Sequence, residues 1–408
     1  MNNVLKTILT IICTAIVTVI LTVLIIYGGN KDSAFVNFFR GDETENIVGA
    51  GLESSTLSQK LHLIRNKIDS EYIGTVDENK MAEYTIKGYV AGLGDKYSAY
   101  YTKEEMTDLM EDTNGNFVGI GVYLILDEEK NLVKIYGVIP NSPAEEAGVQ
   151  AEDYITSING VNFTGSELDK VADDLRGAEG SKVTFKVLRG TQTLEFTVTR
   201  RKVEIVHVKS QVVEGNIGYI AVDSYDGNVA EQFETEYDNL VKQGIKALIV
   251  DIRNNGGGLV DQAVKMADYF IDSGTNILIE KDNKQKETIT KAKTAKKIKM
   301  PTVVLVNGYS ASSSEIFSAA VKEKADNVTV VGAKTYGKGV IQAIYNLTDG
   351  SGLKLTIEEY FTPDHNTINN VGVEPDVVVD DYKYASKLDT EKDTQYKKAV
   401  EILKSKIQ

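Results

Sequence analysis

The sequence has very few of the side chains that many hydrolytic and redox enzymes use. Its 408 residues include a single cysteine, Cys13, and only three histidines, His62, His207 and His365, which are widely scattered. One cysteine excludes internal disulfides, and beyond Cys13 the chain has no thiol nucleophile or thiolate metal ligand. Any hydrolytic chemistry therefore has to use serine, lysine or carboxylate groups.

Basic residues are also in deficit. The chain has 45 Lys and Arg against 59 Asp and Glu, a net charge of -14 at pH 7, so it repels phosphate backbones and nucleic acid is not an expected partner. With 42% hydrophobic and 25% charged residues, the composition is that of an ordinary globular protein. At about 150 residues per domain, the length suggests two or three folded units.

A long uncharged run stands near the N-terminus. No residue from Thr7 to Tyr27 is charged, and a helix of that length reaches about 30 Å, enough to cross a bilayer. Secretory signals have a shorter apolar region, and residues 27–32 form a poor cleavage site. Lys6 precedes the run and mostly acidic residues follow it. We expect residues 1–28 to be an uncleaved, single-pass anchor in the cell membrane, with the bulk of the protein on the extracytoplasmic side.

Changes in hydrophobic periodicity divide the rest of the chain. Residues 29–55 are polar and aperiodic, as in a linker, and residues 56–113 have apolar side chains at helical spacing, interrupted by a turn over 92–100. Residues 381–408 favour a terminal helix, which could pack on the core or on a second subunit. The lysine-rich stretch 281–299 is typical of a solvated loop or hairpin.

Two regions between these segments have strand patterns. Within residues 114–201, apolar and polar side chains alternate in short predicted strands at 122–126, 132–138, 154–158, 183–188 and 194–199. A helix opened by Ser166, with Asp169 three residues later, interrupts them. Residues 202–380 contain continuously apolar strands of the buried parallel type at 247–251, 302–306 and 328–331. The predicted fold class is therefore α/β plus β.

The loop Gly119, Ile120, Gly121, Val122 stands directly before the first alternating strand. Its free amides are expected to receive a peptide carboxylate whose chain then pairs with that strand. The loop is followed in order by Asn141–Ser142–Pro143–Ala144, Ala147–Gly148–Val149 and Ile158–Asn159–Gly160. On these motifs the region resembles a PDZ domain, which implies a site that reads peptide C-termini.

Three buried strands in the C-terminal half end in glycine, serine and lysine. The loops run from Arg253 to Gly258, from Asn307 to Glu315 and from Gly332 to Gly339. In open α/β sheets the crevice beyond the strand ends binds ligands. A serine nucleophile activated by a lysine base is the simplest catalytic arrangement that the residues of these loops allow. Lowering a lysine pKa by roughly 3 units from about 10.4 costs about 4 kcal/mol of desolvation, and Lys338, between two glycines, is the lysine best suited to burial.

These motifs resemble the carboxyl-terminal processing peptidases, serine endoproteases with a PDZ domain inserted before a ClpP/crotonase-like core. The likeness runs from about Thr56 to Asp380. It implies Ser312 as nucleophile, Lys338 as general base and Gln342 as the residue that orients the base. It also implies an oxyanion hole from the amides of Gly258 and Ser313, no metal or other cofactor, and a homodimer through the tail and the 56–112 helices.

Some assignments stay open at this level. Ser313 stands where the family has alanine, so either Ser312 or Ser313 is a possible nucleophile. Ser312 and Glu315 also have the spacing of a helix capping box. Because four residues of straight strand span about 13 Å, Gln342 reaches Lys338 only if the chain bends near Gly339.

The expected function is a membrane-anchored serine endopeptidase that captures exposed, apolar C-termini of protein or peptide substrates and cleaves with a Ser/Lys dyad. One alternative is a catalytically inactive PDZ-type scaffold. Another is nucleotide binding, because Gly332–Lys338 matches a phosphate loop. That match lacks the Ser or Thr that binds magnesium, since Gly339 follows, and residues 340–345 have a strand pattern where a helix is required.

Overall fold

The computed structural model describes residues 54–380 and 392–407. Helix α1, Ser54–Glu71, belongs to a first unit that ends at Val76, and a second unit begins at Asp77. The predicted anchor at 7–27 lies outside the described residues. Within the described ranges, every helix is too short or too polar to span a bilayer.

The second unit alternates helices and strands along most of its length. Its helices are α2 Glu78–Ala91, α3 Lys103–Asn114, α4 Pro143–Glu146, α5 Leu168–Leu175, α6 Val229–Lys242, α7 Val260–Asp268, α8 Ser313–Lys324 and α9 Thr394–Ile407. Its strands up to the middle of the chain are β1 Ala99–Tyr101, β2 Asn116–Gly119, β3 Val122–Asp127, β4 Leu132–Val138, β5 Tyr154–Ile158, β6 Val161–Asn162, β7 Lys182–Arg189, β8 Gln192–Thr199, β9 Arg201–Glu204 and β10 Val208–Val213. The remaining strands are β11 Ile217–Val222, β12 Ala247–Asp251, β13 Asn276–Asp282, β14 Glu287–Lys291, β15 Thr302–Val306, β16 Val328–Gly332, β17 Val340–Asn346, β18 Gly352–Phe361 and β19 Val377–Val378.

The predicted alternating strands form one antiparallel sheet in the order β3-β4-β5-β7-β8, which confirms that region of the prediction. Helix α5 packs against it through buried Val171 and Leu175. The predicted start of this helix at Ser166 is wrong. A short 3-10 turn over Gly165–Glu167 comes first, and the capping box is formed by Thr164 and Glu167, because Thr164 has the extended backbone that an N-cap requires.

A second sheet carries the buried parallel strands in the order β10-β11-β12-β15-β16-β19. Strands β11, β12, β15, β16 and β19 run parallel, and β10 is antiparallel. Strand β12 is buried at every residue, as its unbroken apolar run predicts. Helices α6, α7 and α8 cover one face. Helix α9 covers the other through Tyr396, Ala399, Val400 and Leu403, so the predicted terminal helix packs on the core.

A third sheet joins chain segments that are far apart in sequence. Its order is β1-β18-β13-β14, with β17 paired to the other edge of β18. Strands β13 and β14 form the hairpin predicted for the lysine-rich stretch. Strand β1 pairs with Gly352–Lys354 of β18, so the predicted helical unit 56–113 also contributes a strand, where only a turn was expected. Three residues are too few to show a strand period.

Candidate active site

The three predicted loops meet at one edge of the parallel sheet. Strands β12, β15 and β16 are neighbours, so the loops after them leave the same edge. The Asn254 amide donates to Asn307 Oδ1 (3.0 Å), and the Asn307 side-chain amide donates to Asn254 Oδ1 (2.8 Å). The Tyr336 amide donates to the Ser310 carbonyl (3.1 Å). The glycine, serine and lysine segments therefore form one hydrogen-bonded cluster.

Ser312 occupies a strained position at the start of α8. It is the N-cap residue, with φ 54° and ψ -116°, and it is 8% exposed. A Cβ atom at Gly257 would stand 2.8 Å from the Ser312 Cβ, so only glycine fits beside it. Non-glycine residues with positive φ persist where the surrounding structure imposes them, often at functional sites.

Glu315 is the residue that ties the serine and lysine segments together. Its side chain is fully buried. One carboxylate oxygen accepts from the amides of Ser312 and Lys338, each at 2.9 Å. The other oxygen accepts from the Thr335 hydroxyl and the Gly337 amide, each at 2.6 Å. The predicted capping box between Ser312 and Glu315 is present, but the same carboxylate also fixes the backbone of the lysine loop.

Tyr360, on β18, provides a second link between the same two segments. Its fully buried hydroxyl lies 3.1 Å from the Ser312 carbonyl and also donates to the Lys338 carbonyl. The backbones of Ser312 and Lys338 are thus joined at their amides by one carboxylate and at their carbonyls by one phenol.

Lys338 is half-buried and has no carboxylate ion-pair partner within residues 54–380 and 392–407. Burial, the largest cause, lowers the pKa of Lys338, and the Lys354 ammonium lowers it further. The carboxylates of Asp95 and Glu315 act in the opposite direction, but burial outweighs them. No hydrogen bond joins Lys338 Nζ to Ser312 Oγ among those of the described residues.

Gln342 belongs to a different hydrogen-bond chain. Its side-chain amide donates to Thr356 Oγ1 (3.2 Å), and Thr356 donates to Asp95 (2.6 Å). The pairing of β17 with β18 shifts register between Ile341 and Gln342, so the strand is irregular just before this residue. Asp95 was missed by sequence reasoning, because its segment is distant in sequence from the motifs that it joins.

Ser313 and the glycine loop form a separate contact. The Ser313 hydroxyl donates to the Gly258 carbonyl (2.9 Å). The amides of Gly258 and Ser313 have no acceptor within the described part of the chain, whereas the neighbouring Gly257 amide donates to Asn255 Oδ1 (2.9 Å). An oxyanion needs backbone amides that have no other acceptor, and these two amides meet that requirement.

The nucleotide alternative loses its structural basis. The amides of Gly337 and Lys338, which a phosphate would need, already donate to Glu315. Residues 340–346 form β17 rather than the helix of a phosphate loop.

A separate groove lies between β3 and α5. It has a volume of about 340 Å³ and is lined mainly by apolar residues, including Ile120, Val122, Leu124, Leu168 and Leu175. Strand β3 is an edge strand of its sheet. The amides of Ile120 and Gly121 find no acceptor among the described residues, so the predicted carboxylate loop has donors available at one end of an apolar groove.

Comparisons with known proteins match both of these regions of the chain. The model for peptidase family S41 matches residues 216–379, and a PDZ domain model matches residues 134–189. The chain is 36% identical over 346 residues to the "Probable CtpA-like serine protease" of Staphylococcus aureus (strain COL), covering 84% of this chain and 68% of that protein. It is 35% identical to the protein of the same name in Staphylococcus epidermidis (strain ATCC 12228 / FDA PCI 1200), with coverage of 83% and 68%. A solved Bacteroides fragilis structure assigned to the S41 proteases has a similar fold, with TM-score 0.52, 16% identity and coverage of 90% of this chain and 99% of that one.

Proposed function

Because this chain belongs to peptidase family S41, the carboxyl-terminal processing peptidases, we propose that it is a membrane-anchored endopeptidase that captures exposed C-termini and cleaves with a Ser/Lys dyad. The family membership makes it a serine-type peptidase with a PDZ domain. The anchor, the choice of C-termini and the two dyad residues are the parts that we add.

Ser312 Oγ is the proposed nucleophile. It attacks the carbonyl carbon of the scissile bond while its proton passes to the neutral Lys338 amine. The negative oxygen that develops accepts hydrogen bonds from the amides of Gly258 and Ser313, and donors so placed contribute several kcal/mol. Lys338 then gives its proton to the leaving amine, and water releases the acyl group by the same steps in reverse. Gln342 is proposed to orient Lys338.

The observation that carries this assignment is the pair of links through Glu315 and Tyr360. They hold the backbones of Ser312 and Lys338 together at both their amides and their carbonyls. A lysine with a pKa lowered by burial is the base that such chemistry needs. Ser313 is the weaker candidate nucleophile, because its hydroxyl is engaged by the Gly258 carbonyl.

The groove beside Gly119–Val122 supports capture of C-termini. A substrate carboxylate is proposed to bind the free amides of the loop, while the substrate residues before it add a strand to the open edge of β3 and place apolar side chains in the groove.

The predicted anchor places the catalytic part outside the cytoplasm, and dimerisation is a further proposal from the family. Deleting residues 1–28 is expected to release the protein from sedimented membranes. If the shortened protein still sediments with the membranes, the predicted anchor is contradicted.

The test uses an unfolded reporter polypeptide with an apolar C-terminal residue, as the free acid and as the amide. We expect the full chain to cleave the free acid and to bind the amide at least about 10-fold more weakly. Ser312→Ala and Lys338→Ala should bind the reporter but lose cleavage.

Two serine variants serve as comparisons. Ser313→Ala should keep activity within about 10-fold, since it loses one hydrogen bond of about 1 kcal/mol. Ser405→Ala, on the exposed side of α9, should match the wild type. Cleavage by Ser312→Ala, or its loss in Ser313→Ala alone, would contradict the assignment. Binding without cleavage in the wild type would instead favour the inactive scaffold.

A further inference from the structure

The surroundings of the Lys338 amine include a segment that the dyad does not explain. Residues 95–98 stand just before β1, whose pairing with β18 brings them to the lysine loop. The Lys338 Nζ atom lies 4.7 Å from the centre of the Tyr97 ring. Among the described residues, this ring is the aromatic ring over which the Lys338 amine lies.

The backbone of this segment is firmly held. The Asp95 carboxylate accepts from the Tyr97 amide (3.1 Å), the Ser98 hydroxyl (2.6 Å) and the Thr356 hydroxyl (2.6 Å). The Thr356 amide in turn donates to the Ser98 hydroxyl (3.0 Å). Thr356 also accepts from Gln342 (3.2 Å). One network therefore fixes both the tyrosine segment and the residue proposed to orient the base.

Charged and titratable groups approach Lys338 from several elements. They are Asp95, Lys96 and Tyr97 of the segment, Glu315 of α8, and Lys354 and Tyr360 of β18. The two carboxylates are both saturated by donors of their own, so neither forms an ion pair with the amine. Lys96 shares the Tyr97 ring, since its Nζ lies 4.8 Å from the ring centre, and it also donates to the Tyr336 hydroxyl (3.1 Å).

A lysine base has two opposed requirements. The amine must be neutral before the reaction, yet it must carry a positive charge once it has taken the serine proton. A carboxylate partner would stabilise the ammonium, but it would also keep the amine protonated before the reaction, when it must be neutral. The face of an aromatic ring attracts a cation but is itself uncharged and excludes water from one side.

We propose that Tyr97 is a positioning residue for Lys338, whose ring face covers the amine and stabilises the ammonium formed during catalysis. The inference rests on the proposed Ser312/Lys338 dyad. It assigns the Asp95–Ser98–Thr356 network the task of holding that ring in place, and it gives a segment far from the motifs in sequence a direct part in the site.

The test measures the protonation of Lys338 without requiring turnover. In the full chain carrying Ser312→Ala, the rate at which Lys338 is acylated by acetic anhydride is followed by mass spectrometry as a function of pH. Only the neutral amine reacts, so the midpoint of the rate–pH curve reports the proton affinity of the amine. How easily the reagent reaches the amine changes the height of this curve but not its midpoint. Tyr97→Leu, which keeps apolar cover without a ring, is compared with the conservative Tyr97→Phe and with Tyr136→Leu, an exposed tyrosine of β4.

We expect Tyr97→Leu to weaken the proton affinity roughly 2- to 30-fold, the range of a cation–π contact. The midpoint then falls by about 0.4 to 1.5 pH units, whereas Tyr97→Phe and Tyr136→Leu keep the original midpoint. In the active background the acidic limb of the kcat/KM profile should move by the same amount. An unchanged or raised midpoint in Tyr97→Leu overturns the proposal.

Folding and the dyad are checked separately. Binding of a free-acid peptide at the Gly119–Val122 groove shows whether Tyr97→Leu is folded, and Tyr97→Met replaces it if binding is lost. The same fall in midpoint is required of Tyr97→Met. Turnover by Ser312→Ala would refute the proposed dyad, while a midpoint independent of Tyr97 with Ser312→Ala inactive would refute only the positioning role.

Discussion

Replacing Glu315 by glutamine tests the carboxylate that joins the two halves of the site. The change keeps size and shape but converts one acceptor oxygen to an NH₂ donor. Each carboxylate oxygen accepts two hydrogen bonds, from Ser312 and Lys338 on one side and from Thr335 and Gly337 on the other. Whichever way the amide is turned, its NH₂ group faces two donors. Two donors at a fully buried residue are then left without an acceptor.

The magnitude follows from those two lost acceptors. A buried donor left unsatisfied costs about 1 to 3 kcal/mol, so Glu315→Gln should lower the free energy of unfolding by about 2 to 6 kcal/mol. That is a large part of the free energy of unfolding of a typical folded domain, which is roughly 5 to 15 kcal/mol. Activity should fall as well, because the relative position of Ser312 and Lys338 is no longer fixed.

Urea unfolding of the full chain, followed by circular dichroism, measures the change. The matched control is Glu128→Gln on an exposed turn, which should stay within about 0.5 kcal/mol of the wild type. If Glu315→Gln unfolds with the same free energy as Glu128→Gln and cleaves the reporter at the wild-type rate, the bridging role of Glu315 is refuted.

Two further predictions concern buried charge. Arg253 is buried and pairs with Asp393 before α9 (2.6 Å) as well as with Asp251 (2.7 Å), so Asp393→Ala should lower stability by about 3 kcal/mol. Asp393→Ala should also reduce activity, because Arg253 adjoins the glycine loop. Glu401→Ala, which breaks an exposed ion pair, should lower the free energy of unfolding by only about 0.5 kcal/mol or less. Equal urea midpoints for Asp393→Ala and Glu401→Ala would contradict the predicted difference in stability. Lys338→Met removes a half-buried cation and should abolish cleavage while raising the free energy of unfolding by about 1 kcal/mol, and a loss of stability in thermal unfolding would contradict the reasoning.

Much of the fold was predictable because local patterns report burial directly. Alternating residues from Val122 to Thr199 and unbroken apolar runs such as Ala247–Asp251 correspond to one-sided and two-sided burial, and both became strands as expected. The glycine, serine and lysine loops were also predictable as neighbours, since the ends of adjacent parallel strands lie at one edge.

The parts that escaped prediction depend on contacts between distant segments. Ala99–Tyr101 is too short to show a period, and its partner Gly352–Lys354 comes from another part of the chain. The spacing of Ser312 and Glu315 indicates a capping box, but it carries no information about the donors from the lysine loop. The irregularity between Ile341 and Gln342 depends on pairing with β18, which a single strand pattern does not reveal.

The position of the two carboxylates near Lys338 is compatible with its proposed role as a base. Glu315 and Asp95 both favour the ammonium, yet their oxygens are occupied by backbone and hydroxyl donors rather than by the amine. Burial therefore decides the direction in which the pKa of Lys338 moves, which is downward. Because the unfolded chain binds this proton more tightly, the lysine opposes folding at pH values below its ordinary pKa of about 10.4, and the opposition disappears only above it. The site is thus held together by the hydrogen bonds to Glu315 and Tyr360 against the unfavourable desolvation of Lys338.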